Sequence, residues 1–334
     1  MPPTAAPPGL PGPTSATAAP PLTPTADQPF LSPTGVAAIV LSLLGWTTIP
    51  LFLRFFVRDI DAWTANGWRY AISALIWAPA ILLSLRRGTL PPGIWKAALV
   101  PSFWNAAAQV CFGLAPYYID PGLMTFSLRL QIVFLALAAA IMFPAERRVL
   151  RNPAFLACLF IVLAATMSTV ALSPRGLGRA ELQGIALAVG SGVGYALYAL
   201  GVRKHMVGIN PIKAFAVVSQ YTAGALITCM LLFARDHGWH ATQALTPWTW
   251  TLLAASSIIG IGLGHTFYFY SIARLGLVVA AGVIQLQPIT VSIASIHLFN
   301  EPMTRAQWAT GAVAVAGAVA MLVIQHRVLK RRAA

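Results

Sequence analysis

Charge is scarce in this sequence. Only 9% of its 334 residues are Asp, Glu, Lys or Arg, and 58% are apolar. An ordinary soluble domain carries about 25% charged residues. A deficit spread over nearly the whole chain excludes a soluble core and indicates a polytopic membrane protein. Acid is rarer still, with 8 Asp and Glu against 22 Lys and Arg and a net charge of +14. In a soluble protein that excess would suggest nucleic acid. Here the basic residues lie mostly between apolar runs, so membrane topology explains them and no nucleic-acid partner is expected. Cysteine is equally sparse. Cys111, Cys158 and Cys229 are singletons inside apolar runs, with no CxxC or Cys/His spacing, and read as small buried hydrophobes. There is no HExxH and no GxxxxGK[ST], so neither zinc chemistry nor ATP hydrolysis is expected, and no cofactor is called for. Residues 1–33 hold no Lys or Arg and are rich in Pro, Ala and Thr. No basic region precedes an apolar one there, which excludes a typical signal peptide and suggests a disordered tail.

What is present is a series of ten apolar runs, at about 34–56, 67–85, 95–118, 122–143, 153–173, 182–202, 211–234, 248–270, 276–299 and 306–326. Each is long enough to cross ~30 Å of hydrocarbon as a helix. The expected fold is an all-α integral membrane protein. Ten spans place both termini on one side. If that side is cytoplasmic, fourteen Lys and Arg fall in inside loops and the tail at 328–334, against five outside (Arg58, Arg175, Arg179, Arg235 and Arg305). The bias favours cytoplasmic termini. The Ala/Arg-rich, Lys-poor composition points to a bacterial inner membrane.

The stretch QLQPITVSIASIHLFNEP at 285–302 has a cousin at 130–147, LQIVFLALAAAIMFPAER. Leu130-Gln131 aligns with Leu286-Gln287, and each pair leads through an apolar half-helix to a glutamate, Glu146 or Glu301. The first and sixth spans align as well: GWTTIPLFLR at 45–54 matches GYALYALGVR at 194–203, so Arg54 meets Arg203. The chain reads as two five-span halves, 34–173 and 181–327. An odd span count inverts the second half relative to the first, the arrangement of many secondary transporters. With these residues, GHTFYFYSIARLG at 264–276 and the run from Pro288 to Glu301, the chain resembles tandem EamA units of the drug/metabolite transporter superfamily. In the first half Ile132 stands opposite Pro288. The resemblance implies a ten-helix carrier of a small metabolite, often moved outward, with a central cavity lined by the first four helices of each half.

Polar groups inside a bilayer are costly and mark candidate site residues. Arg129, in the fourth span, aligns with Gln285, and Gln131 with Gln287. No Asp or Glu lies at comparable depth, so Arg129 awaits an anionic substrate group, snorkels to the outer interface, or bonds backbone carbonyls and glutamines. Gln285, Gln287 and Pro288 form a second cluster, where proline removes a donor and frees the Ile284 carbonyl. Asn105 and Gln109 share a face, with Trp104 beside it. Trp46, Tyr195 and Tyr198 offer aromatic walls, or packing. His265 and His297 read as proton relays or as helix–helix hydrogen bonders. Glu146 and Glu301, at span ends on opposite sides, read as capping or gating groups. The runs GSGVG at 190–194, GIGLG at 260–264 and GAVAVAGAVA at 311–320 allow close helix approach.

The leading expectation is a secondary transporter that rocks its two halves about a central cavity. Its partners would be a small-molecule substrate and membrane lipids. A scaffold or receptor, and an intramembrane enzyme, are the alternatives. The enzyme would need clustered carboxylates or a nucleophile with a base, which the spans do not supply.

Overall fold

The computed structural model describes residues 32–174 and 176–330. The tail expected to be disordered, apart from Ser32 and Pro33, lies outside them, as does Arg175. Among the described residues, ten helices are long and apolar enough to cross a membrane: α1 Pro33–Phe56, α2 Ala62–Arg86, α3 Ile94–Tyr117, α4 Pro121–Met142, α5 Pro153–Ala171, α6 Arg179–His205, α7 Ile212–Phe233, α8 Pro247–Ile272, α9 Val279–Phe299 and α10 Arg305–Val328. No strand occurs among the described residues. The chain is a multi-pass membrane protein.

Helix starts follow local chemistry. Asp61 accepts from the backbone N–H groups of Trp63 and Thr64, both at 3.0 Å, and so opens α2 five residues before the apolar run begins. Asn152 caps Phe155 N, Asn210 caps Ile212 N and Thr246 caps Thr249 N. A proline follows each of these three caps, where its missing N–H costs nothing.

Three spans are irregular. α4 consists of Pro121–Leu128 and Gln131–Met142, joined by a tight turn at Arg129 and Leu130. α9 breaks at the aligned positions, Gln285 and Leu286, between Leu277–Ile284 and Gln287–Phe299. In both turns ψ lies between −11° and −15°, near 3₁₀ geometry. Pro288 sits just after the α9 turn, yet the α4 turn forms with Ile132 in its place. Proline is therefore not what makes the break. α8 widens into a π-helical stretch over Ser257–Leu263, a feature often found at functional sites.

The two halves do not pack as separate bodies. The main helix pairs run between them: α3 with α6, α1 with α8, α2 with α7, and α5 with α10. α4 packs on α6 as α9 packs on α1, and the broken helices α4 and α9 meet each other. Exchanging the first five helices for the last five leaves this pairing unchanged. Two mixed groups result, α1/α8/α9 and α3/α4/α6, with α2/α7 and α5/α10 beside them.

Close approach depends on glycine at specific points. A Cβ on Gly192 of α6 would stand 2.7 Å from the Leu128 carbonyl oxygen and 3.2 Å from the Gln131 nitrogen, both backbone atoms of the α4 turn. Neither atom can swing aside. Gly224 of α7 faces open space. Gly192→Ala is expected to lower stability by about 1–3 kcal/mol, the usual cost of overpacking. Gly224→Ala should leave the melting temperature in detergent unchanged, so paired thermal melts separate steric cost from loss of glycine itself.

Candidate functional site

The α4 and α9 breaks place polar groups at mid-membrane depth and turn them toward each other. The Arg129 guanidinium donates through Nη2 to Gln287 Oε1. Gln287 is buried, and its Nε2 donates to the Trp46 carbonyl at 2.6 Å. One glutamine thus ties α1, α4 and α9. Thr47 and Thr290 add a 2.6 Å hydroxyl pair between α1 and α9. Arg129 Nε and Gln285 Oε1 are buried with no hydrogen-bond partner. Both belong to residues lining a small cavity with Pro288, Phe126 and Thr166, walled by Val162 of α5 and Ala314 and Val315 of α10. A second cavity lies nearer the Asp120–Glu301 end, lined by Ser292, Ser295 and Gln307 among others. The first reaches α5 and α10, and the second reaches α10 and the residues just after α5, rather than only the first four helices of each half.

The candidate aromatic residues fall in different places. Trp46 donates to the Gly260 carbonyl at 3.2 Å, inside the π stretch, and packs against Tyr268 with ring centroids 5.0 Å apart. Tyr195 is edge-on to Phe112. Tyr198 instead joins the apolar packing around Tyr70, Trp77 and Phe215.

Other candidates are engaged elsewhere. Asn105 Nδ2 donates to Thr222 Oγ1 at 2.9 Å and fastens α3 to α7. Trp104 packs edge-on against the exposed Phe103. His265 stacks on Phe215 at 4.2 Å, with Nδ1 3.2 Å from the Ile261 carbonyl oxygen, as a helix-bonding histidine does. His297 is exposed. Gln131 begins the second half of α4, and its side chain makes no hydrogen bond among the described residues.

Two ion pairs flank this centre. Arg54 at the end of α1 holds Glu301 through Nε and Nη2 at 2.9 and 2.7 Å. Arg203 at the end of α6 holds Glu146 at 2.8 Å. The aligned arginines thus meet the aligned glutamates, each pair joining the two halves of the chain. They lie at opposite ends of the bundle, because successive spans cross in alternate directions. Arg54 does more: Nη1 donates to the Pro116 carbonyl at 2.8 Å, and Nη2 lies 3.7 Å from Asp120. It therefore clamps the α3–α4 corner to α1 and α9.

Sequence reading missed Arg69. It is the largest fully buried side chain, 1% exposed, and donates through Nε to Ser256 Oγ at 2.9 Å. With α2 expected to begin at 67, Arg69 looked like an edge residue. The Asp61–Thr64 cap, which places it two turns inside, was the available signal.

The family model described as the EamA-like transporter family matches residues 182–323. The second half is an EamA unit. Together with the ten spans, this match supports a transmembrane transporter. A solved structure described only as a crystal structure of a protein resembles it at a TM-score of 0.60 and 17% identity, over 89% of this chain and 99% of that one. That likeness speaks to the fold alone. No match was found among curated proteins.

Proposed function

We propose that this EamA protein is a secondary transporter that exports a small anionic or zwitterionic metabolite, such as an amino acid or organic acid. The observation that carries the reading is Arg129: a guanidinium at a helix break deep in the bilayer, with Nε unbonded and only a neutral glutamine as hydrogen-bond partner. A buried unpaired charge is expensive, and a substrate anion would relieve the cost.

The halves, 34–173 and 181–327, act as an inverted pair. The aligned breaks, the exchange-symmetric helix pairing and the two Arg–Glu pairs all support that relation. Because the halves interlock, the moving bodies are the mixed groups α1/α8/α9 and α3/α4/α6 rather than the halves themselves. Loop arginines and lysines favour cytoplasmic termini in a bacterial inner membrane.

Proteoliposomes loaded with labelled anionic, zwitterionic, neutral or cationic metabolites test this without ATP. Protein-dependent release of an anion or zwitterion, accelerated by the same unlabelled solute outside, is expected. Release of cations or neutral solutes alone would refute the anionic assignment, and release no faster than from empty liposomes for every class would refute transport.

A further inference from the structure

The cavity at the helix breaks presents two kinds of lining. Its polar residues include Arg129, whose Nε is a donor without an acceptor, and Gln285, whose Oε1 is an acceptor without a donor. The rest of the wall is mostly apolar, with Phe126 of α4, Pro288 of α9, Val162 of α5, and Ala314 and Val315 of α10 all buried. Val162 is braced from behind, since a Cβ on Gly317 of α10 would stand 3.0 Å from its Cγ2. In this conformation the cavity has room for about one water molecule. A ligand that meets both orphan atoms therefore carries its acceptor and its donor on neighbouring carbons, and little bulk beyond them.

Charge decides what the donor is. Arg129 is the cation of the lining, and none of the lining residues among those described is Asp or Glu. A carboxylate on the Nε–H balances that charge. An ammonium group on Gln285 Oε1 would then bring a second positive charge into an apolar site with no acid to pair it, at a high cost. A hydroxyl donates to the same oxygen without any charge. The position of the cavity matters too. Arg129 belongs to the group α3/α4/α6 and Gln285 to the group α1/α8/α9, so the cavity lies on the seam between them and widens as they part. A ligand bonded to both residues ties the two groups together.

Resting on the reading of Arg129 above, we propose that this cavity is the closed form of the substrate subsite and that it selects a 2-hydroxy carboxylate with a short apolar chain. The carboxylate takes the Arg129 Nε–H, the 2-hydroxyl donates to Gln285 Oε1, and the chain packs against Val162, Ala314 and Val315. The fifth helix of each half is then a specificity wall that limits chain length, not only a support for the helices beside it.

Thermal melts of the full-length protein in detergent, near pH 7.5 and at constant ionic strength, test this with lactate, propionate, alanine and 2-hydroxyhexanoate as probes. The wild type is expected to bind lactate at least about threefold more tightly than propionate, the range of one neutral hydrogen bond. It should also bind lactate more tightly than alanine. Gln285→Met, similar in shape but without the acceptor, should bring lactate down to the affinity of propionate and leave propionate itself unchanged. Gln285→Leu serves if that variant does not fold. 2-Hydroxyhexanoate should bind more weakly than lactate, and Val315→Ala should improve its affinity relative to lactate by at least about tenfold. Val313→Ala, on the same helix but 50% exposed, should not. Equal binding of lactate and propionate, tighter binding of alanine, or a lactate preference that survives in Gln285→Met would overturn the hydroxy-acid assignment. If binding in those cases still depends on Arg129, the transport reading stands. An unchanged chain-length preference in Val315→Ala, or the same gain in Val313→Ala, would overturn the wall. No response to any anion or zwitterion would take both readings down.

Discussion

Arg129→Gln is expected to abolish substrate-dependent stabilisation and to cut transport by about tenfold to a hundredfold, while the protein without substrate melts no lower than wild type. The two halves of that result have one cause. The guanidinium is held in the α4 break with an unbonded buried Nε and a neutral partner in Gln287. A desolvated charge in that position destabilises the empty protein, and exchanging it for a neutral amide removes the penalty. The same exchange removes a charge-assisted hydrogen bond to the substrate, worth about 1.5–3 kcal/mol. Function and stability therefore move in opposite directions, as at sites that hold strain for binding. A structural Arg129, present only to bond Gln287, predicts the reverse: a lower melting temperature without substrate and intact transport. Proteoliposome flux and melting curves on the same preparations decide between them.

Helix count and the alignment of the fourth with the ninth span were legible because both rest on local pattern, whereas the breaks in those spans were not expected. Apolar length sets the spans. The aligned Leu-Gln pairs at 130–131 and 286–287 fall at the turns in α4 and α9, which pattern alone did not reveal because the first lacks a proline. Glycine runs foretold close approach, and Gly192 against the α4 turn is one case. What could not be read was partner choice across the bundle. Asn105 and Gln109 do share a face, but the face alone does not say that Asn105 meets Thr222 of α7. Arg54 and Arg203 were aligned, and so were Glu301 and Glu146. Their pairing, across 247 and 57 residues of chain, exists only once α1 lies on α9 and α6 on α4. Arg69 was lost to a span boundary placed five residues late, because a cap decides a helix start more sharply than hydropathy does.

Arg54→Ala is expected to be the most destabilising single change at the ion pairs, at about 3–5 kcal/mol, the cost of leaving a buried acid without its partner. The Glu301 side chain is only 4% exposed, and without Arg54 its one remaining donor is Ser295 Oγ, at 2.7 Å from Oε2. Glu301→Gln should cost less, because Arg54 is 22% exposed and keeps Asp120 at 3.7 Å and the Pro116 carbonyl. Arg203→Ala should fall between them. It too strands a buried acid, Glu146, but Gln325 Nε2 continues to donate at 3.2 Å, and Arg203 was itself 52% exposed. The functional consequences differ as well. Arg54 clamps the α3–α4 corner to α1 and α9, so its loss frees one mixed group from the other at that end of the bundle. Arg203 holds α6 to the segment after α4, and its ring contact with Phe143 lies on that same side. Loss of Arg54 should therefore raise the reactivity of a cysteine placed at Ser292, in the cavity beside the clamp, toward a membrane-impermeant thiol reagent added from that face. Loss of Arg203 should leave it unchanged. Equal reactivity in the two variants would mean that neither arginine governs access from that face and that the clamp serves stability alone.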